Sequence, residues 1–113
     1  MRHVCLVYHT PEAFARYTSA QLKKLTEDSL AYDRELEAKG HLVVAHALGG
    51  VSSAKSLRVR EGRATVVDGP FAETKEQLVG FILVEASDEA EALRLAEGIP
   101  LARTGTIEVR AAD

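Results

Sequence analysis

Apolar positions along this chain alternate between two periods. Val4-Cys5-Leu6-Val7 is apolar on consecutive positions, and a strand is expected over His3–Tyr8. Thr10-Pro11-Glu12 ends it, and the segment through Thr18 reads as a loop or a short helical turn. The period then changes. Leu22, Leu25, Tyr32 and Leu36 recur at helical spacing, which predicts a helix over 19–39 with Ser19 as N-cap and Gly40 as its stop. A second strand is expected over His41–Leu48, broken by Gly49-Gly50. Leu57–Arg60 and Ala64–Val67 form a hairpin around Glu61-Gly62-Arg63. Leu78–Ala86 is a long apolar strand. Asp88 with Glu91 resembles a capping box opening a helix that carries Ala92, Leu93, Ala96 and Ile99, and Gly98 and Pro100 close that helix. Thr104–Arg110 supplies a last strand.

The order is β-α-β, a hairpin, then β-α-β. That order predicts an α+β chain, a ferredoxin-like sandwich with two helices on one face of an antiparallel sheet and an extra hairpin, as a single domain over 1–113. Three strands, Val4–Val7, Leu42–Ala45 and Phe81–Val84, are apolar on both faces. A half-solvated antiparallel sheet alternates instead. A second copy is the expected cover, giving a homodimer through the sheet face with sheets about 10 Å apart.

Composition narrows the function classes. The net charge of −3 gives no support for nucleic-acid binding. No apolar run approaches the roughly 20 residues of a membrane helix, and Met1-Arg2 runs straight into the first strand without a signal-peptide pattern, so a cytoplasmic protein is expected. Cys5 is the single cysteine, which excludes an intrachain disulfide and fits a small buried apolar residue. His3 and Cys5 share a strand face, but two ligands make no metal site. No phosphate loop, nucleophile elbow or zinc motif is present, and no cofactor is expected.

The densest chemistry lies in Asp68-Gly69-Pro70-Phe71-Ala72-Glu73-Thr74-Lys75-Glu76-Gln77-Leu78. Gly69 tolerates positive φ and Pro70 fixes φ, so the chain reverses there. Asp68 reads either as a turn residue accepting backbone N–H bonds or as a carboxylate aimed into a cleft. Glu73 and Lys75 read as a surface pair or as ligand contacts, with Phe71 as an apolar anchor.

Asp33 projects about 20° from Leu22 around the helix, on the flank of the apolar stripe. An Asp there either reaches water or, if buried, is paired or has a raised pKa. His46 alternates with Leu42, Val44 and Leu48, and reads as a rim histidine or as the partner of Asp33 or Asp68 in an acid/base pair. His9 ends the first strand as a second histidine candidate, with Tyr8 beside it. The catalytic candidates are therefore Asp33, His46 and Asp68. Tyr8, His9, Phe71, Glu73 and Lys75 are the substrate-binding candidates. Arg58, Arg60 and Arg63 make a basic hairpin, read as a solvated face or an anionic contact.

The run Asp68 to Leu78, followed by Gly80-Phe81-Ile82-Leu83-Val84-Glu85, resembles the signature of the YCII-related family, in its DGPF-domain branch. Leu6-Val7-Tyr8-His9, Ala31-Tyr32-Asp33-Arg34-Glu35-Leu36, Leu57–Arg63 and Gly105–Arg110 extend the likeness over nearly the whole chain. Ala45-His46-Ala47-Leu48-Gly49-Gly50 departs from the polar, proline-containing segment that relatives often carry there. The resemblance implies a ferredoxin-like fold assembled as a dimeric α/β barrel. For some relatives it implies a His–Asp pair in a cleft, and for others an association with alternative sigma factors. Two functions follow as expectations. One is a small cofactor-independent enzyme doing acid/base chemistry on a small polar metabolite. The other is a non-catalytic ligand-sensing or protein-interaction dimer linked to transcriptional regulation.

Overall fold

A computed structural model describes residues 1–113. The strands are β1 (Arg2–His9), β2 (Leu42–Ala47), β3 (Lys55–Arg60), β4 (Arg63–Asp68), β5 (Gln77–Glu85) and β6 (Thr106–Ala111). The helices are α1 (Pro11–Ala15), α2 (Ser19–Ala38) and α3 (Glu89–Glu97), with short 3-10 turns at Val51–Ser53 and Pro100–Arg103. Four strands form one antiparallel sheet in the order β2-β5-β1-β6, while β3 and β4 form a separate two-stranded sheet. This mixed α+β arrangement is consistent with the ferredoxin-like fold.

The core lies between the helices and one face of the four-stranded sheet. Cys5 and Val7 of β1 and Ile82 and Val84 of β5 meet Leu36 of α2, Ala96 of α3 and Ile99. β1 is buried at every second residue, His3, Cys5, Val7 and His9, as strand alternation requires. Leu36 is 2% exposed and is the one fully buried residue of α2. Burying such a side chain contributes about 1.5–3 kcal/mol.

Side-chain caps fix the helix starts. Thr10 accepts from the Ala13 N–H and, with Pro11 at the first turn, makes the expected helical turn a true short helix. The N-cap of α2 is Thr18 rather than Ser19. Thr18 Oγ1 accepts from the Gln21 N–H, and the Gln21 side chain accepts from the Thr18 N–H. This reciprocal pair outcompetes Ser19, which has no glutamine or glutamate at the matching offset. Asp88 caps α3 through the Glu91 N–H, while the Glu91 carboxylate takes the Ser87 N–H, one residue before the expected partner.

A bulge in β2 corrects one expected face. Leu42 opposes Val84 and Val44 opposes Leu83, so Val43 is the extra residue. Leu42 therefore joins Ala45 against the core, and His46 shares the opposite face with Val44. The regular alternation expected for Leu42, Val44, His46 and Leu48 fails because the bulge shifts parity between Leu42 and Val44.

The far face of the four-stranded sheet carries Val4, Leu6, Tyr8, Phe81 and Leu83, all half-buried with no layer over them. The β3–β4 hairpin projects from the body, and every residue of β4 is exposed. Its turn at Glu61-Gly62 has φ of 51° and 76°, the primed geometry that matches strand twist. The radius of gyration is 15.8 Å, against about 13 Å for a compact chain of about this length, and the extents are 46 × 38 × 19 Å. Chain has been spent on a thin sheet and a protruding arm rather than on a second core.

Candidate functional site between helix α2 and the sheet

A concavity of about 840 Å³ opens between α2, α1 and the helix-side face of β1, β2 and β5. Its origin is legible in residue size. Only the C-terminal half of the α2 stripe packs tightly; Leu22 is 39% and Leu30 51% exposed. Beneath the N-terminal half, the sheet presents Ala45, Ala47 and Gly80. A Cβ on Gly80 would stand 3.0 Å from the His46 carbonyl oxygen, so the floor there accepts no side chain without movement. Small residues below and an unburied helix flank above leave the hollow unfilled.

Apolar side chains dominate the lining, and a few polar groups converge on it: Thr26, Ser29 and Asp33 from α2, Gln77 from β5 and His9 from β1. Thr26, Ser29 and Asp33 lie on one helix face at spacings of three and four. The half-buried Asp33 carboxyl makes no hydrogen bond or ion pair. Burial pushes its pKa up from the usual carboxylate value. Its position on the stripe's flank is the one expected from helical phase.

His9, 1% exposed, closes one end of the hollow. Its Nδ1–H donates to the Thr10 carbonyl at 3.2 Å, and its Nε2 is hydrogen-bonded to the Thr104 hydroxyl at 2.8 Å. Thr104 Oγ1 in turn lies 2.8 Å from the Tyr17 hydroxyl. The Phe14 ring packs against the His9 ring, centroids 4.4 Å apart, with Tyr17 beyond it. Both ring nitrogens of His9 are thus engaged, and the orientation of the ring is fixed. This network ties α1 and the segment before β6 to the end of β1.

The other candidates are dispersed. His46 borders the hollow, but its ring shares the far sheet face with Phe81, centroids 5.9 Å apart, and hydrogen-bonds no carboxylate. Tyr8 also lies on the far face, its hydroxyl 3.5 Å from the Glu108 carboxylate. Asp68 ends β4, does not line the hollow, and pairs with the Lys55 ammonium. That cation takes the place of the backbone N–H bonds expected at an Asp turn. The turn itself forms as expected: Gly69 has φ of 98°, its N–H donates to the Ala54 carbonyl at 2.8 Å, and Ser56 Oγ donates to the Gly69 carbonyl. Phe71 is 82% exposed and anchors nothing within the subunit. Glu73 and Lys75 are exposed and form no ion pair with each other.

Sequence reasoning did not single out Thr26, Ser29, Gln77, Phe14, Tyr17 or Thr104. Thr26 and Ser29 were traceable, since they precede Asp33 on the same helical face. The Tyr17–Thr104–His9 chain spans most of the sequence and carried no local signal. No group of three or more His, Cys, Asp or Glu side chains is placed to hold a metal ion. No helix is long and apolar enough to cross a membrane.

Comparison with known proteins bears on the whole of this architecture. The model of the YCII-related domain matches residues 1–112. An uncharacterised protein of Rhizobium meliloti (strain 1021) is 34% identical over 112 residues, covering 97% of this chain and 90% of that protein. With the family model spanning both the sheet that floors the hollow and the projecting hairpin, the chain belongs to the YCII-related family.

Proposed function

We propose that the protein is a small enzyme of the DGPF branch, using the hollow beneath α2 for acid/base chemistry without a cofactor. The observation that carries this reading is Asp33: a half-buried carboxyl, without a partner, on the wall of a mainly apolar cavity, with its pKa raised by burial. A carboxyl so placed exchanges a proton with a bound molecule more readily near neutral pH than a solvated one does. His9, with both ring nitrogens engaged, serves as a fixed wall. Its network holds α1 over one end of the hollow.

The proposed assembly is a two-fold homodimer in which the far sheet faces cover each other, forming the α/β barrel. It would bury Val4, Leu6, Phe81 and Leu83, and it is the route by which His46, on that face, would be enclosed. Asp68 would enter a site only if the hairpin of one copy reached the other.

Proton exchange tests the enzymatic reading. A pool of small metabolites in D₂O, followed by NMR with and without the protein, is expected to show deuterium incorporation at one component. Asp33→Asn should slow it by about 10²–10⁴-fold. Absence of catalysed exchange or turnover across the pool would overturn the catalytic reading.

One observation favours the non-catalytic alternative, a protein-interaction dimer linked to transcriptional regulation. Leu57, Val59 and Val66 share one face of the hairpin, 54–63% exposed, with nothing in the subunit to cover them.

A further inference from the structure

The wall of the hollow holds one carboxylate and no lysine or arginine. The titratable side chains that line it are His9, Tyr32, Asp33 and His46. Tyr32 donates its hydroxyl to the Leu95 carbonyl at 2.6 Å, both nitrogens of His9 are engaged, and the exposed His46 ring lies with Phe81 on the far sheet face. Of the cations on and at the end of α2, Lys24 pairs with Asp28 at 3.3 Å and Lys39 with Glu35 at 2.8 Å, while Lys23 and Arg34 are exposed, do not line the hollow and make no ion pair with Asp33. Asp33 is left as a carboxylate with no counter-charge in a largely apolar wall.

A ligand that fits must supply what the wall lacks. An anion would meet no positive group and would be repelled by Asp33, at short range and in reduced dielectric. A phosphorylated or carboxylated molecule is therefore a poor match. A cation would pair with Asp33, while the alanine floor and the Phe14 ring would take a hydrocarbon or aromatic body. The volume suits a molecule of modest size, since ligand sites run from about 300 to 1,000 Å³. We infer that the hollow takes a monocationic amine carried on a compact apolar body, with Asp33 as its counter-ion. This rests on the reading of the hollow as the ligand site, and narrows the small polar metabolite expected from sequence to an amphipathic amine.

Three probes on one skeleton test it: 2-phenylethylamine, 2-phenylethanol and phenylacetate, each titrated into ¹⁵N-labelled full-length protein. The amine is expected to shift the amides of Ser29, Asp33, Ala47 and Gly80 and to bind at least tenfold more tightly than the other two. Asp33→Asn should reduce that advantage to under twofold and leave the alcohol unchanged, with the remaining amide spectrum superimposable on the wild type. Thr26→Lys, which places a cation on the same wall, should turn the preference toward phenylacetate. Equal or tighter binding of phenylacetate to the wild type, or an amine preference that survives Asp33→Asn, overturns the inference while leaving the hollow as a ligand site. If none of the three probes moves those amides, the hollow is not the ligand site, and both readings fall together.

Discussion

The two faces of the four-stranded sheet are built from the same strands and yet have opposite fates. On the helix side, Cys5, Val7, Ile82 and Val84 are at most 8% exposed, beneath Leu36 and α3. On the far side, Val4, Leu6, Phe81 and Leu83 come from the same two strands and remain half-open. The β3–β4 hairpin belongs with the far side: it has the alternation of a half-buried sheet and no core to bury it in. A two-stranded hairpin alone is marginal in water. Apolar patterning therefore fixes which positions seek cover, but the chain has only enough helix to cover one face.

The largest effects that sharpen this contrast are on stability. Leu36→Ala should cost about 2–5 kcal/mol by urea denaturation, as a cavity in the packed layer. Leu57→Ala in the hairpin should stay within about 0.5 kcal/mol if nothing covers the arm. A Leu57→Ala cost near that of Leu36→Ala would show the arm to be buried in an assembly. Next comes the far face itself. Light scattering at micromolar concentration should give twice the subunit mass, and Phe81→Asp should return it to one. A monomeric wild type would break the pairing of sheet faces.

Chemical access gives a third comparison. Burial pushes the Cys5 thiol up to about 11, so alkylation at pH 8 should be about 100-fold slower in the native protein than after unfolding. Rapid native labelling would mean that the helix-side layer opens readily. The smallest effect belongs to Asp33. Its folded pKa lies above its unfolded value, so between the two the native state binds more protons and stability falls as pH rises. The penalty is absent below the unfolded pKa and complete above the folded one. Asp33→Asn should therefore raise the melting temperature slightly at pH 7 and leave it unchanged at pH 3. A lowered melting temperature at pH 7 would mean that the carboxylate has a stabilising partner.

Local chemistry made much of this legible from sequence. Helical phase placed Asp33 on the flank of the α2 stripe, where the structure has it. Gly69 takes the positive φ its turn demanded, and Gly62 does the same in the hairpin. The N-cap of α2 lies one residue before the expected Ser19 because two hydroxyl residues adjoin and Gln21 decides between them. The face of Leu42 differs from expectation because a single extra residue reverses parity, and in the all-apolar run Leu42–Ala45 that reversal leaves no mark.

The candidate site divides in the same way. Asp33 and His9 were visible as individual residues, and their neighbourhoods were not. The grouping of ionisable residues after Asp68 drew attention to a corner that lies outside the hollow, with Asp68 paired to Lys55. The hollow itself arises where Ala45, Ala47 and Gly80 of separate strands come to lie beneath Thr26, Ser29 and Asp33. Sequence alone determined the order of the main elements, the turns at Gly62 and Gly69, and which side chains avoid water, because those depend on neighbours within a few residues. Only the tertiary structure decided where side chains are too small to fill the space between layers, because an unfilled volume belongs to several segments at once.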